Sequence, residues 1–545
     1  MSIFSIVLCL IDTDEASFIT SSPKLIERCQ IVKLPNEVSY QRMLNTLSQI
    51  KKGAIKRNLS VLAEVLLGLR HLSEPKDMTK INFKDTSLNE YQKEAVRFAL
   101  GSPELSLIHG PPGNRYFYAK INTDNLVERY IKHDTNVVRI GHPARVSPNV
   151  VRWTLDVLCS DIDVEKVSSI MQEELQKLSR KLRTVENISE GEERKKILET
   201  LKSLLKKKVT LKKKNEKINA ANVVFSTLNA SGPLKNKMFD VIIIDEVGQS
   251  TEPDCWIPLS KAKKAILSGD HLQLPPTVKT PPKITKNIVK SIFQGMSLMN
   301  DLSYTLFDRL LSMYGDKVKK LLSIQYRMHE QIMAFSSKEL YNNKLIADSS
   351  VAQHILQDLP DVKKTAETCV PIIIIDTKDT NNHHESKGGK MNKQSTANDY
   401  EVKVIVCYIG KLLKDGLTQK DIAVITPYKA QVTKLLLAMG DKWIDIEVGT
   451  VDGFQGREKE AIILSLVRSN KRREVGFLAE KRRLNVAMTR ARRHLVVVGD
   501  TVTLNGSEYD KNEENPFFID RTFLENWIEW LNKNSEVRYS KAILK

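Results

Sequence analysis

Paired cysteines are absent: the six cysteines (Cys9, Cys29, Cys159, Cys255, Cys369, Cys407) are far apart, with no C-x-x-C. That spacing argues against a zinc module and a disulfide framework, and suits a reducing compartment. Long apolar runs are also missing, since none approaches the ~20 residues of a membrane-spanning helix. IFSIVLCLI at 3–11 has no Lys or Arg before it and runs directly into DTDE. It therefore reads as a buried strand, not a signal-peptide core. Acidic residues are outnumbered, with Lys+Arg 84 against Asp+Glu 66, a net charge of +18 and a pI near 9.3. Such a surplus favours a polyanion partner, nucleic acid ahead of an acidic membrane surface.

The most informative absence is local. LIHGPPGNRYFYAK (107–120) opens as a phosphate-binding loop, with Gly110, Pro111, Pro112 and Gly113 after an apolar run. The pattern G-x-x-x-x-G-K-[ST] then calls for Gly, Lys and Ser or Thr, but Arg115, Tyr116 and Phe117 stand there. Lys120 comes too late to replace the lysine that bridges phosphates.

What is present is a repeating grammar of apolar run, polar motif and helical segment. The runs are VIIIDE (241–246), AILSGD (265–270), VPIIIIDT (370–377), DIAVITPY (421–428), AIILSLVRS (461–469) and HLVVVGD (494–500). Strands apolar on both faces and separated by helix-length segments predict an α/β chain with parallel sheets covered by helices. Ligands in such folds bind at the carboxyl ends of the strands, and most of the unusual polar residues here directly follow a run. Residues 151–218 change to polar helix, and KSLLKKKVTLKKKNEK (202–217) reads as a basic arm along nucleic acid or as a solvated helix pair. His383 and His384, in a second polar stretch, read as solvated rather than metal-binding.

VIIIDEVGQS is the strongest single motif. A buried strand that delivers Asp245 and Glu246 to a sheet edge supplies one carboxylate for Mg²⁺ and a second for the attacking water. Alone it is also an ordinary strand end, as Asp376 after four isoleucines illustrates. Further motifs add Gln273 as a hydrogen-bonding group near a γ-phosphate, Tyr326 to stack on a base and Arg327 as an arginine finger. GTVDGFQGREKE (449–460) sets Gln455 and Glu458 among glycines, and Arg490, Arg492 and Arg493 follow in LNVAMTRARRH.

In this order GDHLQLPP, QYRMH, VDGFQGREKE and NVAMTRARRH, with LNEYQKEAV (88–96) upstream, resemble superfamily 1 helicases of the up-frameshift-like group. GHPARV, CWIPL and VRSNKRREVGFLAE extend the likeness over about residues 35–540, nearest to its immunoglobulin-mu-binding branch. The resemblance implies two RecA-like parallel-sheet lobes with a helical insert in the first. ATP and Mg²⁺ would sit in the cleft, with single-stranded RNA or DNA across the top and 5′→3′ translocation. It also implies a monomer, nuclear or cytoplasmic, with the ribosome or a ribonucleoprotein as a further partner and no membrane.

By matching motif, Gln92 reads the adenine edge, Tyr326 stacks on it and Glu458 contacts the ribose. Asp245 holds Mg²⁺, Glu246 activates water, and Gln273, Arg327 and Arg490 contact the γ-phosphate. Asn125, Pro427, Tyr428 and the loop from Thr450 to Gln455 lie near the nucleic-acid path. The implied divisions are 1–85 (accessory remnant and linker), 86–150 and 219–315 (first lobe), 151–218 (helical insert) and 316–545 (second lobe).

Against the family pattern, only ten residues pass between Gly113 and Asp124. A parallel crossover needs a dozen or more, so the P-loop helix and the following strand have no sequence to form from. The barrel that precedes the first lobe in this group is mostly absent, and no appended module follows before Lys545. The interruption leaves two readings: a helicase whose sequence omits a segment at this point, or an ATPase-dead nucleic-acid-binding form.

Overall fold

The computed structural model describes residues 37–83, 85–114, 123–141, 143, 146–159, 212–234, 237–277, 302–378, 385–387, 395–505 and 521–544. The run at 3–11, Arg115 to Lys120, His383, His384 and most of 151–218 lie outside the described residues.

In chain order the first half contains α1 (Glu37–Ile55), α2 (Val61–Leu66), α3 (Glu90–Gly101), β1 (Leu105–His109), α4 (Thr123–Tyr130), β2 (Val137–Ile140), β3 (Val223–Ser226), β4 (Phe239–Ile244), α5 (Glu252–Leu259), β5 (Ala262–Gly269), α6 (Leu306–Tyr314) and β6 (Lys319–Leu321). A four-stranded parallel sheet has the order β4-β5-β1-β6. The second half contains α7 (Glu330–Leu340), β7 (Ile372–Asp376), α8 (Asp399–Lys414), β8 (Ile422–Thr426), α9 (Lys429–Met439), β9 (Glu447–Thr450), β10 (Lys459–Ser465), α10 (Lys481–Met488), β11 (Ala491–Gly499), α11 (Thr522–Asn534) and β12 (Glu536–Tyr539). Its six parallel strands run β9-β8-β10-β11-β7-β12. These are two parallel α/β lobes, and each of the six apolar runs at 241–500 supplies strand residues to one of them.

The second lobe shows why such runs make parallel sheets. Ile372, Ile374, Leu495 and Val497 face a core formed with α7, α10 and α11. Their neighbours Ile373, Ile375, Val496 and Val498 face α8 and α9 on the other side. With side chains alternating between faces, a strand buried on both must be apolar throughout.

The first lobe is unequal. Leu105, Leu107, Ile244, Ala265 and Leu267 pack on α2, α5 and α6. Arg309 of α6 ties that layer together by pairing with buried Glu252 of α5 at 2.7 Å. The opposite face has a smaller cluster, in which Ile108, Leu322 and Ile266 meet Ala95 and Ala99 of α3. At β4 it is bare: Val241 and Ile243 are 43% and 64% exposed, whereas Ile244 is buried. β4 pairs only with β5 among the described strands.

β2 and β3 form a separate two-stranded parallel sheet. It is tied to α4 by buried Asp124, which accepts from Arg139 Nε at 2.8 Å and from the Ser147 amide at 2.7 Å.

Candidate functional site

Asp245 and Glu246 leave the carboxyl end of β4 in a tight turn. Glu246 has φ +54°, a left-handed conformation that costs about 1–2 kcal/mol for a residue with a Cβ. The turn is wedged against the end of β5, where a Cβ on Gly248 would lie 2.9 Å from the Asp270 carbonyl oxygen. Asp245 Oδ2 is buried with no hydrogen-bond partner in the structure, and burial raises the Asp245 pKa to about 6. Burial, reinforced by the charges of Asp245 and Asp270, raises Glu246 to about 8, opposed by the Gln249 amide at 2.6 Å and by Arg490. A buried carboxylate oxygen with an open lone pair fits a Mg²⁺ ligand, and the neighbouring basic carboxylate fits a proton acceptor.

Asp270, at the end of β5, joins the two lobes. Its carboxylate accepts from His109 Nε2 at 2.8 Å, the Leu272 amide at 3.0 Å, Gln273 Nε2 at 2.9 Å and the Tyr341 hydroxyl of the second lobe at 2.7 Å. Burial opposes its charge, but His109 and His271 beside it hold the pKa at about 2. Asn485 of α10 donates to the Tyr341 hydroxyl at 3.1 Å and to the Leu272 carbonyl at 2.8 Å. Arg490 donates to Gln273 Oε1 at 3.1 Å. The ligand atoms of His109, Asp270 and His271 lie within 4.8 Å of one another, yet four protein donors already occupy Asp270, so the trio reads as a hydrogen-bonded hub.

Arg327 is buried, its guanidinium paired with Glu458 and donating to the Thr489 carbonyl at 3.1 Å. Burial works against the Glu458 charge, but Arg327, then Arg492 and Arg490, keep its carboxyl below the ordinary range. Gly110 to Gly113 are all buried, and the Gly110 amide donates to the Gly269 carbonyl at 3.1 Å. Gly113 has φ +87°, and a Cβ there would lie 2.8 Å from Gln325 Oε1 and 3.0 Å from Arg327 Cβ. The opening of the phosphate loop is thus packed against the arginine segment.

Gln92 is placed by a helix cap. The Asn89 side chain accepts from the Gln92 amide at 2.9 Å, and Gln92 Oε1 accepts from the Asn89 amide at 2.9 Å. Its Nε2 is buried and has no partner in the structure. Asn89 Nδ2 donates to the Tyr326 hydroxyl at 2.8 Å, which brings the two adenine-reading candidates to one place.

The structure therefore gathers Asp245, Glu246, Gln273, Arg490, Arg327, Glu458 and the Gly110–Gly113 loop around the junction of the lobes, with Gln92 and Tyr326 together beside it. Asn125 is elsewhere, on α4. Pro427 and Tyr428 follow β8, and Thr450 to Gln455 end β9 and its loop. Gln455 Nε2 is a third buried polar atom without a partner in the structure. Tyr428 is only 4% exposed, so its ring has little open surface. Sequence reasoning passed over Asn89, Asp270, Tyr341 and Asn485. Asp270 carried a signal as the acidic residue directly after a buried strand, and Asn89 and Asn485 lay inside motifs already singled out, whereas Tyr341 carried none.

One AAA domain family model matches residues 120–281 and another matches 302–502. The DNA polymerase alpha-associated DNA helicase A of Schizosaccharomyces pombe is 37% identical over 94% of this chain and 77% of its own length. DNA-binding protein SMUBP-2 of Mus musculus is 36% identical over 93% of this chain and 51% of its own. Regulator of nonsense transcripts 1 of Dictyostelium discoideum is 31% identical over 91% and 37%. The chain thus spans about three quarters of the first relative and about half of the second. Among solved structures, an arterivirus nonstructural protein 10 helicase aligns with a TM-score of 0.30 at 11% identity, over 75% of this chain and 56% of its own, too weak to add to the fold assignment.

Proposed function

The chain belongs to the superfamily 1 helicases of the up-frameshift-like group, and from that membership we propose an ATP-driven translocase that moves 5′→3′ on single-stranded RNA or DNA. The observation that carries this reading is the meeting of Asp245 and Glu246 of one lobe with Arg490 of the other, through Gln273 and Asp270. Asp245 Oδ2 is the oxygen that would hold Mg²⁺, and Gln92 Nε2 the donor that would face the adenine edge. A Mg²⁺ ion there would neutralise charge on the β- and γ-phosphates. Glu246, beside Asp245, would take the proton of the attacking water, and Arg490 and Gln273 would orient the transferred group. Arg327 and Glu458 would contact phosphate and ribose after their mutual pair opens. Asn125, Pro427, Thr450 and Gln455 would lie along the strand, and the basic surplus draws that strand in. The same likeness points to a monomer that works in nucleus or cytoplasm, with the ribosome or a ribonucleoprotein as a further partner. No helix among the described residues is long and apolar enough to cross a membrane.

A specific departure favours a second reading, a nucleic-acid-binding member that does not hydrolyse ATP. Tyr116 and Phe117 stand where the lysine and the Mg²⁺-binding hydroxyl belong, so this part of the phosphate cradle does not fit the group. One assay separates the two. ATP turnover by the purified chain, raised by single-stranded RNA or DNA and lowered about 10²–10⁴-fold by Glu246→Gln, is expected if the helicase reading holds. Salt-sensitive oligonucleotide binding without turnover would leave the second reading in its place. Turnover that survives Glu246→Gln would mean that another group activates the water.

A further inference from the structure

Tyr428, the aromatic residue that the sequence placed beside the nucleic-acid path, is almost wholly buried; the exposed aromatic at that place is Phe477, at 55%. It lies in the turn Gly476–Ala479, between β10 and α10. The Tyr428 ring stands behind it at 5.8 Å between centroids and 58° between planes. The Arg483 guanidinium lies over the Phe477 ring at 5.6 Å, itself held by Glu480 at 2.8 Å. Gly476 has φ +56°, and a Cβ there would fall 2.6 Å from Arg468 Nη1 and 3.1 Å from the Tyr428 hydroxyl. The turn is therefore seated directly on Tyr428 and Arg468, and Phe477 is presented outward from a fixed base.

A lone exposed phenylalanine is ordinary. This one also caps a small apolar cavity of about 10 Å³, too small for a base, shared with Pro427, Val451, Leu466 and Arg483 at the carboxyl ends of β8, β9 and β10. Exposed Lys471, Arg472 and Lys481 flank the turn. An exposed aromatic ring backed by a second ring, with Lys471, Arg472, Lys481 and Arg483 close by and Glu474 and Glu480 pairing with two of them, suits a nucleobase attached to a phosphate backbone. Every base has a π-face to stack, and the phosphates on either side of it suit the neighbouring cations.

We propose that Phe477 is the base-stacking platform of the second lobe, taking one base of a single strand whose backbone passes Arg483 and the Pro427–Tyr428 corner. This rests on the nucleic-acid-binding reading above and adds the residue that grips a base face without reading its sequence.

The test compares a short labelled homopolymer with an abasic strand of equal length and charge, each titrated into the full chain by fluorescence anisotropy. The wild type should bind the base-bearing strand about tenfold more tightly. Phe477→Ala should lose most of that preference with an unchanged salt slope, since no cation is removed. Phe477→Trp should keep the preference, and its added fluorescence should be quenched by the base-bearing strand alone. Full preference in Phe477→Ala, or equal quenching of Phe477→Trp by both strands, would overturn the assignment while leaving nucleic-acid binding intact. Equal binding of both strands by the wild type would do the same. Failure of the wild type to bind either strand would bring down the underlying reading as well.

Discussion

At Glu401 of α8 a fully buried carboxyl group accepts from Ser465 Oγ at 2.6 Å and from the Val467 amide at 3.0 Å, while its other oxygen has no partner in the structure. Val467 has φ +70°, strained for a β-branched residue, and Glu401 and Asn398 hold its amide and carbonyl. Burial raises the Glu401 pKa to about 8 against an ordinary 4.5, so the folded chain keeps a proton that the unfolded chain has released. Stability must therefore fall as pH rises between those values and level off above the higher one. Glu401→Gln keeps an acceptor for both donors and carries no charge. Its denaturation midpoint, set against the wild type's across that window, should not share the decline. A wild-type curve parallel to the variant's would mean that Glu401 does not titrate there.

Among the elements, β4 departs most from what its sequence alone suggests. VIII is apolar on both faces, yet only Ile242 and Ile244 turn toward a packed layer. Ile243→Lys, on the bare face, should change stability by less than about 0.5 kcal/mol and reduce light scattering at high concentration. Ile244→Ala should cost about 2–5 kcal/mol in denaturant titration. Similar costs for the two would show that both faces are covered. The parallel α/β character was legible because apolar runs at helix-length spacing have few other folds. The uneven cover of β4 was not, since a run of aliphatics names no partner. The pairing of β2 with β3 outside the main sheet was equally silent, because period-two alternation defines faces and not neighbours.

For the molecule as a whole, Asp270 is one tie between the lobes, beside those of Arg490 to Gln273 and Asn485 to the Leu272 carbonyl. Tyr341→Phe removes one donor from that carboxylate and leaves Asn485 short of an acceptor, a loss of about 1.5–3 kcal/mol for a bond to a charged group. Calorimetry should then show the two lobes melting in separate steps where the wild type melts in one. A single unshifted transition would mean that the remaining ties, Arg490 to Gln273 and Asn485 to Leu272, hold the lobes together without Tyr341. Motif order was enough to nominate Asp245, Glu246, Gln273 and Arg490 as one site, because each sits just past a recognisable strand or in an arginine-rich repeat. Tyr341 had no such mark, and Asn485, though inside the motif that marks Arg490, had no role read from it. They act through burial and distance between segments far apart in sequence, which appear only once the lobes have closed on each other.

The pairing of Arg327 with Glu458 has one more implication, for selectivity. The guanidinium is already matched to an anion, so a phosphate bound there as proposed would compete for it instead of filling a vacancy. A monoanion offers little more than the carboxylate it would displace, whereas a polyphosphate brings several charges and several acceptors at once. Under the proposed reading the pair would work as a threshold, discounting singly charged competitors in the surrounding solution and yielding to a ligand with charge to spare.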